Sequence, residues 1–101
     1  MTYTKNEQTV FNLIANESAA GGAIGYTEIS RATGIDVKAL RGIVTSLEVK
    51  GRVSVDNEPV NGEPCNIIWP IHPVTGDCGF WCDYLDADEV STGLISDEMV
   101  R

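Results

Sequence analysis

The chain has 101 residues, 43% of them hydrophobic, and its fifteen acidic and seven basic residues give a formal net charge of −8. This length is enough for one domain with one core, and the apolar content excludes wholesale disorder. No apolar run approaches the roughly 18 residues that a membrane-spanning helix needs. The start has no basic region followed by an apolar stretch, so we expect no signal peptide and a cytoplasmic protein.

The negative charge is concentrated near the end of the sequence. Residues 1–76 carry eight acids and six bases, whereas residues 77–101 carry seven acids and a single base. The body is therefore nearly neutral, and we expect a solvated acidic tail whose last residues, from 96 onwards, are frayed. This overall balance does not exclude nucleic-acid binding, which needs only local positive charge.

The first helical pattern begins close to the start of the chain. Thr4 and Glu7 form a T-x-x-E capping box, which predicts a first helix over about 4–18. The glycine pair 21–22 ends this helix, because glycine permits left-handed turns. A short extended piece is expected at 23–26.

Two further helices follow in close succession. Thr27 is the expected cap of a short helix over 28–33, which Gly34 ends. Asp36 is expected to cap a third helix over about 37–50, whose apolar residues recur at three- and four-residue steps. The residues of this apolar face are Val37, Leu40, Ile43, Val44 and Leu47.

The period of the pattern then changes to two, which is typical of strands. Alternation at 52–56 and a second apolar run at 65–69 predict an antiparallel hairpin that Pro70 ends. The turn-forming residues at 57–64 predict a loop of about eight residues between the two strands.

The order of these elements is helix, short strand, helix, tight turn, helix and hairpin. Together with the segments Tyr26–Asp36 and Leu47–Val53, it resembles the winged helix-turn-helix superfamily of small bacterial and phage regulators. The resemblance implies an α+β fold of three helices and a two-stranded wing over residues 1–71, followed by an acidic C-terminal extension over residues 72–101. It also implies a transcription regulator that binds double-stranded DNA sequence-specifically, with the third helix in the major groove.

The side of the third helix opposite its apolar face supplies the candidate contacts. Lys38 and Arg41 lie one turn apart, and Thr45 can donate to a phosphate or a base edge. Gly42 permits a close approach of the backbone. The residues expected to contact DNA are Lys38, Arg41, Thr45, Arg31 and Arg52.

The same residues are also compatible with an ordinary solvated helix face. The expected wing tip contains Glu58 and Glu63 and no base, and Asp36 lies where a phosphate would approach. The alternative function is therefore an acidic winged-helix module or inhibitor that binds a basic protein partner, with carboxylates that mimic DNA phosphates. Val60, in the expected loop, can serve such a protein contact.

Four residues in the second half have side chains that zinc accepts, namely Cys65, His72, Cys78 and Cys82. Their spacing lacks the C-x2-C pair that is typical of zinc sites. We therefore expect buried or free thiols and no metal. We expect His72 to lie at the surface or to cap a turn.

An aromatic cluster precedes the acidic end of the chain. At helical spacing its members favour packing on the first helix and the wing, and they can equally form a homodimer contact. The members are Phe80, Trp81, Tyr84 and Leu85. Asp86 then predicts the start of a weak helix, although residues 91–93 are poor helix material.

Nothing in the sequence indicates catalysis. It contains no glycine-rich phosphate loop, nucleophile elbow or metalloprotease helix, and its only histidine is His72. We therefore expect neither enzyme activity nor a cofactor. The acidic balance also disfavours binding to anionic membrane surfaces.

Overall fold

A computed structural model describes residues 2–60 and 62–100 of the chain. In this structure the first helix begins at the predicted capping box. Helix α1 spans Lys5–Ala19, and Thr4 is its cap. The Glu7 amide donates to Thr4 Oγ1 at 3.1 Å, and the Thr4 amide donates to Glu7 Oε1 at 2.8 Å. These reciprocal bonds satisfy two amides that a helix start otherwise leaves free, and they confirm the prediction.

The two following helices are present, and Gly34 ends the first of them as predicted, but neither helix start has the predicted side-chain cap. Helix α2 spans Tyr26–Thr33, and Gly25 precedes its first residue, with the Gly25 amide donating to the Glu28 carboxylate at 3.0 Å. The prediction of Thr27 as the cap is therefore wrong. Helix α3 spans Val37–Val49, and the Asp36 side chain makes no capping bond there. The Asp36 carbonyl instead accepts from the Leu40 amide, so the backbone alone closes the first turn.

The hairpin is longer than predicted. Strand β1 spans Val53–Val60 and strand β2 spans Glu63–Pro70, paired antiparallel from Val53↔Pro70 to Val60↔Glu63. The predicted eight-residue loop is therefore wrong, because only residues 61 and 62 separate the strands. Gly62 has a φ of 82°, the left-handed conformation that two-residue hairpin turns require.

The expected extended piece before α2 pairs with the hairpin. Ile24 forms an isolated antiparallel bridge with Ile68, whose amide donates to the Ile24 carbonyl at 2.9 Å. Strand β2 therefore has β1 on one side and this short segment on the other. The approach is close: a Cβ added at Gly25 would lie 2.7 Å from the carbonyl oxygen of Asn66.

The C-terminal segment packs against the rest of the chain as far as residue 100, so the prediction of fraying is wrong for the described residues 96–100, whereas most of the acidic side chains are solvated as expected. Helix α4 spans Trp81–Tyr84, helix α5 spans Ala87–Gly93, and a 3-10 turn spans Asp97–Met99. Asp86 caps α5 as predicted, accepting from the Glu89 amide at 2.9 Å. Residues 91–93 continue this helix, contrary to expectation.

Polar residues of α1 hold the end of the chain in place. The Asn12 side chain donates to the Ile95 carbonyl and accepts from the Ile95 amide, each at 2.9 Å. The Tyr3 amide donates to the Met99 carbonyl at 2.9 Å, and Tyr3 pairs with Val100 in a parallel bridge. The acidic residues of this segment lie mostly at exposed positions, whereas its apolar residues, such as Ile95, are buried.

The architecture is α+β, with helices packed around a two-stranded antiparallel hairpin. The largest part of the core lies between α1, α3 and the hairpin, and the C-terminal segment adds Trp81 and Ile95 to it. The fully buried side chains include Val10, Phe11, Ile14, Ile29, Leu40, Val44, Leu47 and Ile68. None of the helices in the described part of the chain combines the length and apolar character that crossing a bilayer requires.

Candidate nucleic-acid interface

Helix α3 has one buried face and one open face. Leu40, Val44 and Leu47 are completely buried, which confirms the predicted apolar face for these three residues, whereas Val37 and Ile43 are half-buried. On the opposite side Lys38, Arg41, Gly42, Thr45 and Val49 are all exposed. A helix of this width with an uncovered side has the dimensions that the major groove of DNA accepts.

The two basic residues of this open face are not neutralised by any carboxylate that the structure describes. The ion pair found in the described part of the chain joins Lys50 to Glu7, at the other end of α3. Among the described side chains, Lys38 and Arg41 therefore have no ion-pair partner that would compete with an external anion. Asp36 and Glu48 are exposed near the two ends of the helix and limit the extent of this basic surface.

Arg41 is held at the edge of the open face. Its guanidinium carbon lies 5.0 Å from the centre of the Tyr26 ring, a cation–π contact with the first residue of α2. Both residues line an open groove of about 500 Å³ between the starts of α2 and α3 and strand β2. Val37, Asn66 and Ile67 lie on the same groove.

The hydroxyl of Thr45 has a different bonding capacity from the one expected. Thr45 Oγ1 donates to the Arg41 carbonyl at 2.8 Å, one turn earlier in α3. Because its proton is used within the helix, the hydroxyl can accept a hydrogen bond from outside but does not donate one in this conformation. The methyl group remains available for apolar contact.

The two arginines outside α3 have opposite environments. Arg31 is exposed in the last turn of α2. Arg52, just before β1, is only 5% exposed, and its guanidinium lies 4.3 Å from the centre of the Phe11 ring. Arg52 Nη1 donates to the Tyr3 hydroxyl at 3.1 Å, and Nη2 donates to the Gly93 carbonyl.

The expectation that Arg52 contacts DNA is corrected by this burial. Its side chain turns into the interior because aromatic rings and the end of α5 surround it there. The structure thus brings Lys38, Arg41 and Thr45 onto successive turns of one helix and leaves Arg52 out. Glu58 and Glu63 were expected to make the tip of the hairpin acidic, and Val60 was expected to contact a protein partner. The side chains of these three residues lie outside the part of the chain that the structure describes.

The four candidate zinc ligands do not come together. Cys65, Cys78 and Cys82 are exposed and free. Of the two expected states, buried or free thiols, the structure therefore shows the free one. His72 is 2% exposed, and both of its ring nitrogens are engaged. Among the described residues no group of three histidine, cysteine or acidic side chains is placed to hold a metal ion.

The bonds of His72 explain its burial. Its Nδ1 accepts from the amides of Val74 and Thr75 at 3.1 and 3.2 Å, and its Nε2 lies 2.6 Å from the Glu89 carbonyl. These partners require the neutral ring with the proton on Nε2. The prediction of a capping histidine is confirmed, whereas a surface position is wrong.

The aromatic cluster packs mainly within the chain. Trp81 is completely buried and lies 6.1 Å from Phe11 between ring centres, and Phe80 meets Trp69 edge-on at 4.9 Å. Trp81 Nε1 donates to the Pro70 carbonyl at 3.1 Å, which ties the C-terminal segment to the end of β2. Tyr84 is 55% exposed, so it does not take part in the packing within the chain that was expected of the cluster.

The contact between Tyr26 and Arg41 was not predicted from the sequence. Tyr26 fell within the short extended piece, and nothing in its local sequence relates it to a residue fifteen positions later. The relation arises only because α2 and α3 pack at the tight turn around Gly34, whose φ is 75°.

Comparison with protein-family models, curated proteins and solved structures found no match to this chain.

Proposed function

We propose that this chain is a winged helix-turn-helix protein that binds double-stranded DNA sequence-specifically as a transcription regulator. The order of its elements supports the proposal. Helix α1, the bridge at Ile24, α2, the turn at Gly34, α3 and the β1–β2 hairpin follow one another as in that fold. In this arrangement α3 is the helix that enters the major groove.

The open face of α3 is the observation that carries the proposal. Lys38 and Arg41 are exposed there without a described carboxylate partner, and Gly42, which follows Arg41, has no atom within 4 Å of where a Cβ would be. A smooth, basic helix surface can approach base edges closely, because neither a bulky side chain nor an internal ion pair separates it from them.

The residues of this face have distinct expected contacts. Lys38 and Arg41 can donate to guanine N7 and O6 or to phosphate oxygens. Thr45 can accept from a base amino group or place its methyl against a thymine methyl. Arg31, at the end of α2, can contact a phosphate. Arg52 has no part in the interface because it is buried.

The charge of the chain determines how DNA binding responds to salt. With a net charge of −8, binding must rest on the few bases near α3. Three phosphate contacts correspond to a slope of about −2 to −3 in a plot of log affinity against log salt. A shallow slope of this size distinguishes the expected small interface from a broad basic one.

The test begins with selection of a duplex from a random pool at about 50 mM salt, where electrostatic binding is strong. Replacing both Lys38 and Arg41 by alanine should abolish binding while the circular dichroism spectrum stays unchanged. A matched variant, Lys38→Arg with Arg41→Lys, keeps both charges and should retain the salt slope while changing the selected bases. Failure of the purified protein to bind any duplex overturns the proposal.

A protein partner is the second candidate, because the acidic segment is fixed on the surface. Asp83, Asp86 and Asp88 are exposed on or beside α4 and α5, which are packed against the body. Carboxylates held in fixed positions can complement a basic protein and mimic phosphates. This candidate predicts a nuclease-resistant complex that Asp83→Asn with Asp88→Asn disrupts and Lys38→Ala does not.

A further inference from the structure

Arg41 does not lie at the centre of the open face of α3. With 100° per residue, Lys38, Gly42 and Thr45 lie opposite the buried Leu40 and Leu47, while Arg41 lies at the edge toward α2. There its guanidinium contacts the Tyr26 ring at 5.0 Å and lines the groove beside β2. The Arg41 side chain therefore points toward the aromatic ring of Tyr26 on α2.

We propose that Tyr26 is a positioning residue that holds the Arg41 guanidinium at this groove, ready to contact DNA. The inference rests on the proposed function and adds a residue to it. Arginine loses considerable side-chain freedom when it binds, so a ring that already restricts the guanidinium lowers the entropic cost of each contact. Tyr26 itself need not touch the DNA.

The ring is the contact that can orient Arg41. Among the side chains that the structure describes, which do not include those of Glu58 and Glu63, none forms an ion pair with the guanidinium, and its described contact is the Tyr26 ring. A carboxylate partner would neutralise the charge that DNA must meet, whereas an aromatic face orients the guanidinium and leaves its charge intact.

Tyr26 is suited to this role because its own position is fixed. It follows Gly25, where the amide is bonded to Glu28 and the backbone passes close to the Asn66 carbonyl. The ring is half-buried, and burial raises the pKa of the phenol; the charge of Arg41 opposes this rise and that of Glu48 adds to it. The phenol therefore stays neutral near pH 7, and Arg41 contacts a neutral aromatic ring.

A double-mutant cycle on the selected duplex tests the inference. Tyr26→Leu, which keeps an apolar side chain but removes the ring, should weaken binding about two- to fivefold, the range that a cation–π contact represents. Tyr26→Phe keeps the ring and should bind like the original chain. In the Arg41→Ala background, Tyr26→Leu should have no further effect, because the residue to be positioned is gone.

Each other outcome has a definite meaning. Equal losses from Tyr26→Leu with and without Arg41 mean that Tyr26 acts through packing alone, which overturns the inference and leaves the proposed function standing. A loss in Tyr26→Phe shows that the hydroxyl is required and also overturns it. Absence of duplex binding by the original chain overturns both. Thermal melts of every variant confirm that the proteins compared are folded.

Discussion

The ammonium group of Lys50 lies 2.7 Å from Oε2 and 2.9 Å from Oε1 of Glu7, and this ion pair joins the end of α3 to the start of α1. Glu7 is only 3% exposed, and Ser46 Oγ donates to the same carboxylate at 2.8 Å. Lys50 also lies 5.0 Å from the centre of the Tyr3 ring. These contacts fix the orientation of α3, the helix that we propose to enter DNA.

We expect acid to weaken the fold through Glu7. Burial raises the pKa of this carboxyl, but hydrogen bonds from Lys50, the Thr4 backbone and Ser46 outweigh it and lower the pKa from 4.5 to about 2. A carboxyl with a depressed folded-state pKa stabilises the fold above its unfolded pKa. That stabilisation is therefore complete above about pH 4.5 and is lost as the pH falls toward 2.

The measurement is urea unfolding of Glu7→Gln and the original chain across this pH range. The substitution should cost roughly 2–3 kcal/mol near pH 7 and flatten the dependence of stability on pH below 4.5. Glu17→Gln is the control, because Glu17 is exposed on the same helix. An unchanged pH dependence in Glu7→Gln would contradict the assignment.

Arg52 should matter for stability and not for DNA. Arg52→Met keeps an apolar stem against Phe11 but leaves the Gly93 carbonyl and Tyr3 hydroxyl without their donor, at a cost of about 1–2 kcal/mol. Arg52→Ala also loses the packing of the stem and should cost more. The loss from methionine is limited because Arg52 Nε is itself buried without a described partner.

Replacing the exposed Lys38 by methionine as well separates the effect on DNA binding from the effect on stability. Under conditions where all variants are folded, Lys38→Met should weaken the affinity for the selected duplex, and Arg52→Met should leave it unchanged. A loss of affinity in folded Arg52→Met would show that Arg52 contributes to DNA binding after all.

Two glycines of the helical region should respond oppositely to alanine. A Cβ at Gly25 would lie 2.7 Å from the Asn66 carbonyl oxygen, so Gly25→Ala must push β2 away from α2 and should cost about 1–3 kcal/mol. Gly42 has no neighbour within 4 Å of a Cβ, so Gly42→Ala should stabilise α3 by about 0.5–1 kcal/mol. Chemical denaturation measures both; destabilisation by Gly42→Ala would mean that its site is not open.

His72 should be structural rather than a zinc ligand. His72→Ala removes the acceptor for two amides and the donor to the Glu89 carbonyl, and should cost roughly 2–4 kcal/mol. A bound metal raises the melting temperature by mass action, so added Zn²⁺ should leave that temperature unchanged. A rise with Zn²⁺ that Cys78→Ser abolishes would show that the thiols do bind it.

Local sequence patterns predicted the helices and strands because those elements depend on neighbours close in the chain. The capping box at Thr4 and Glu7, the left-handed Gly34 and the apolar face of α3 were all predictable from spacing alone. The turn between the strands was predictable too, since Asn61-Gly62 is a strong hairpin signal. It was missed because the prolines on both sides suggested a longer loop, whereas Pro59 and Pro64 pair across the ladder.

The candidate site was only partly predictable. The exposure of Lys38, Arg41 and Thr45 follows from helix periodicity, because the apolar residues between them define the buried side. The burial of Arg52, the bonded hydroxyl of Thr45 and the contact of Arg41 with Tyr26 do not follow from it. They depend on which distant segments pack against each side chain.

Sequence alone determined the α+β element order, the buried and open faces of α3 and the concentration of acids near the end, because each is a property of residues adjacent in the chain. Tertiary structure decided that the C-terminal segment packs on α1, that Arg52 and His72 lie inside, and that Lys50 is bonded to Glu7. These outcomes join residues far apart in sequence. A buried polar group is stable only where distant partners satisfy it, and no local pattern specifies those partners.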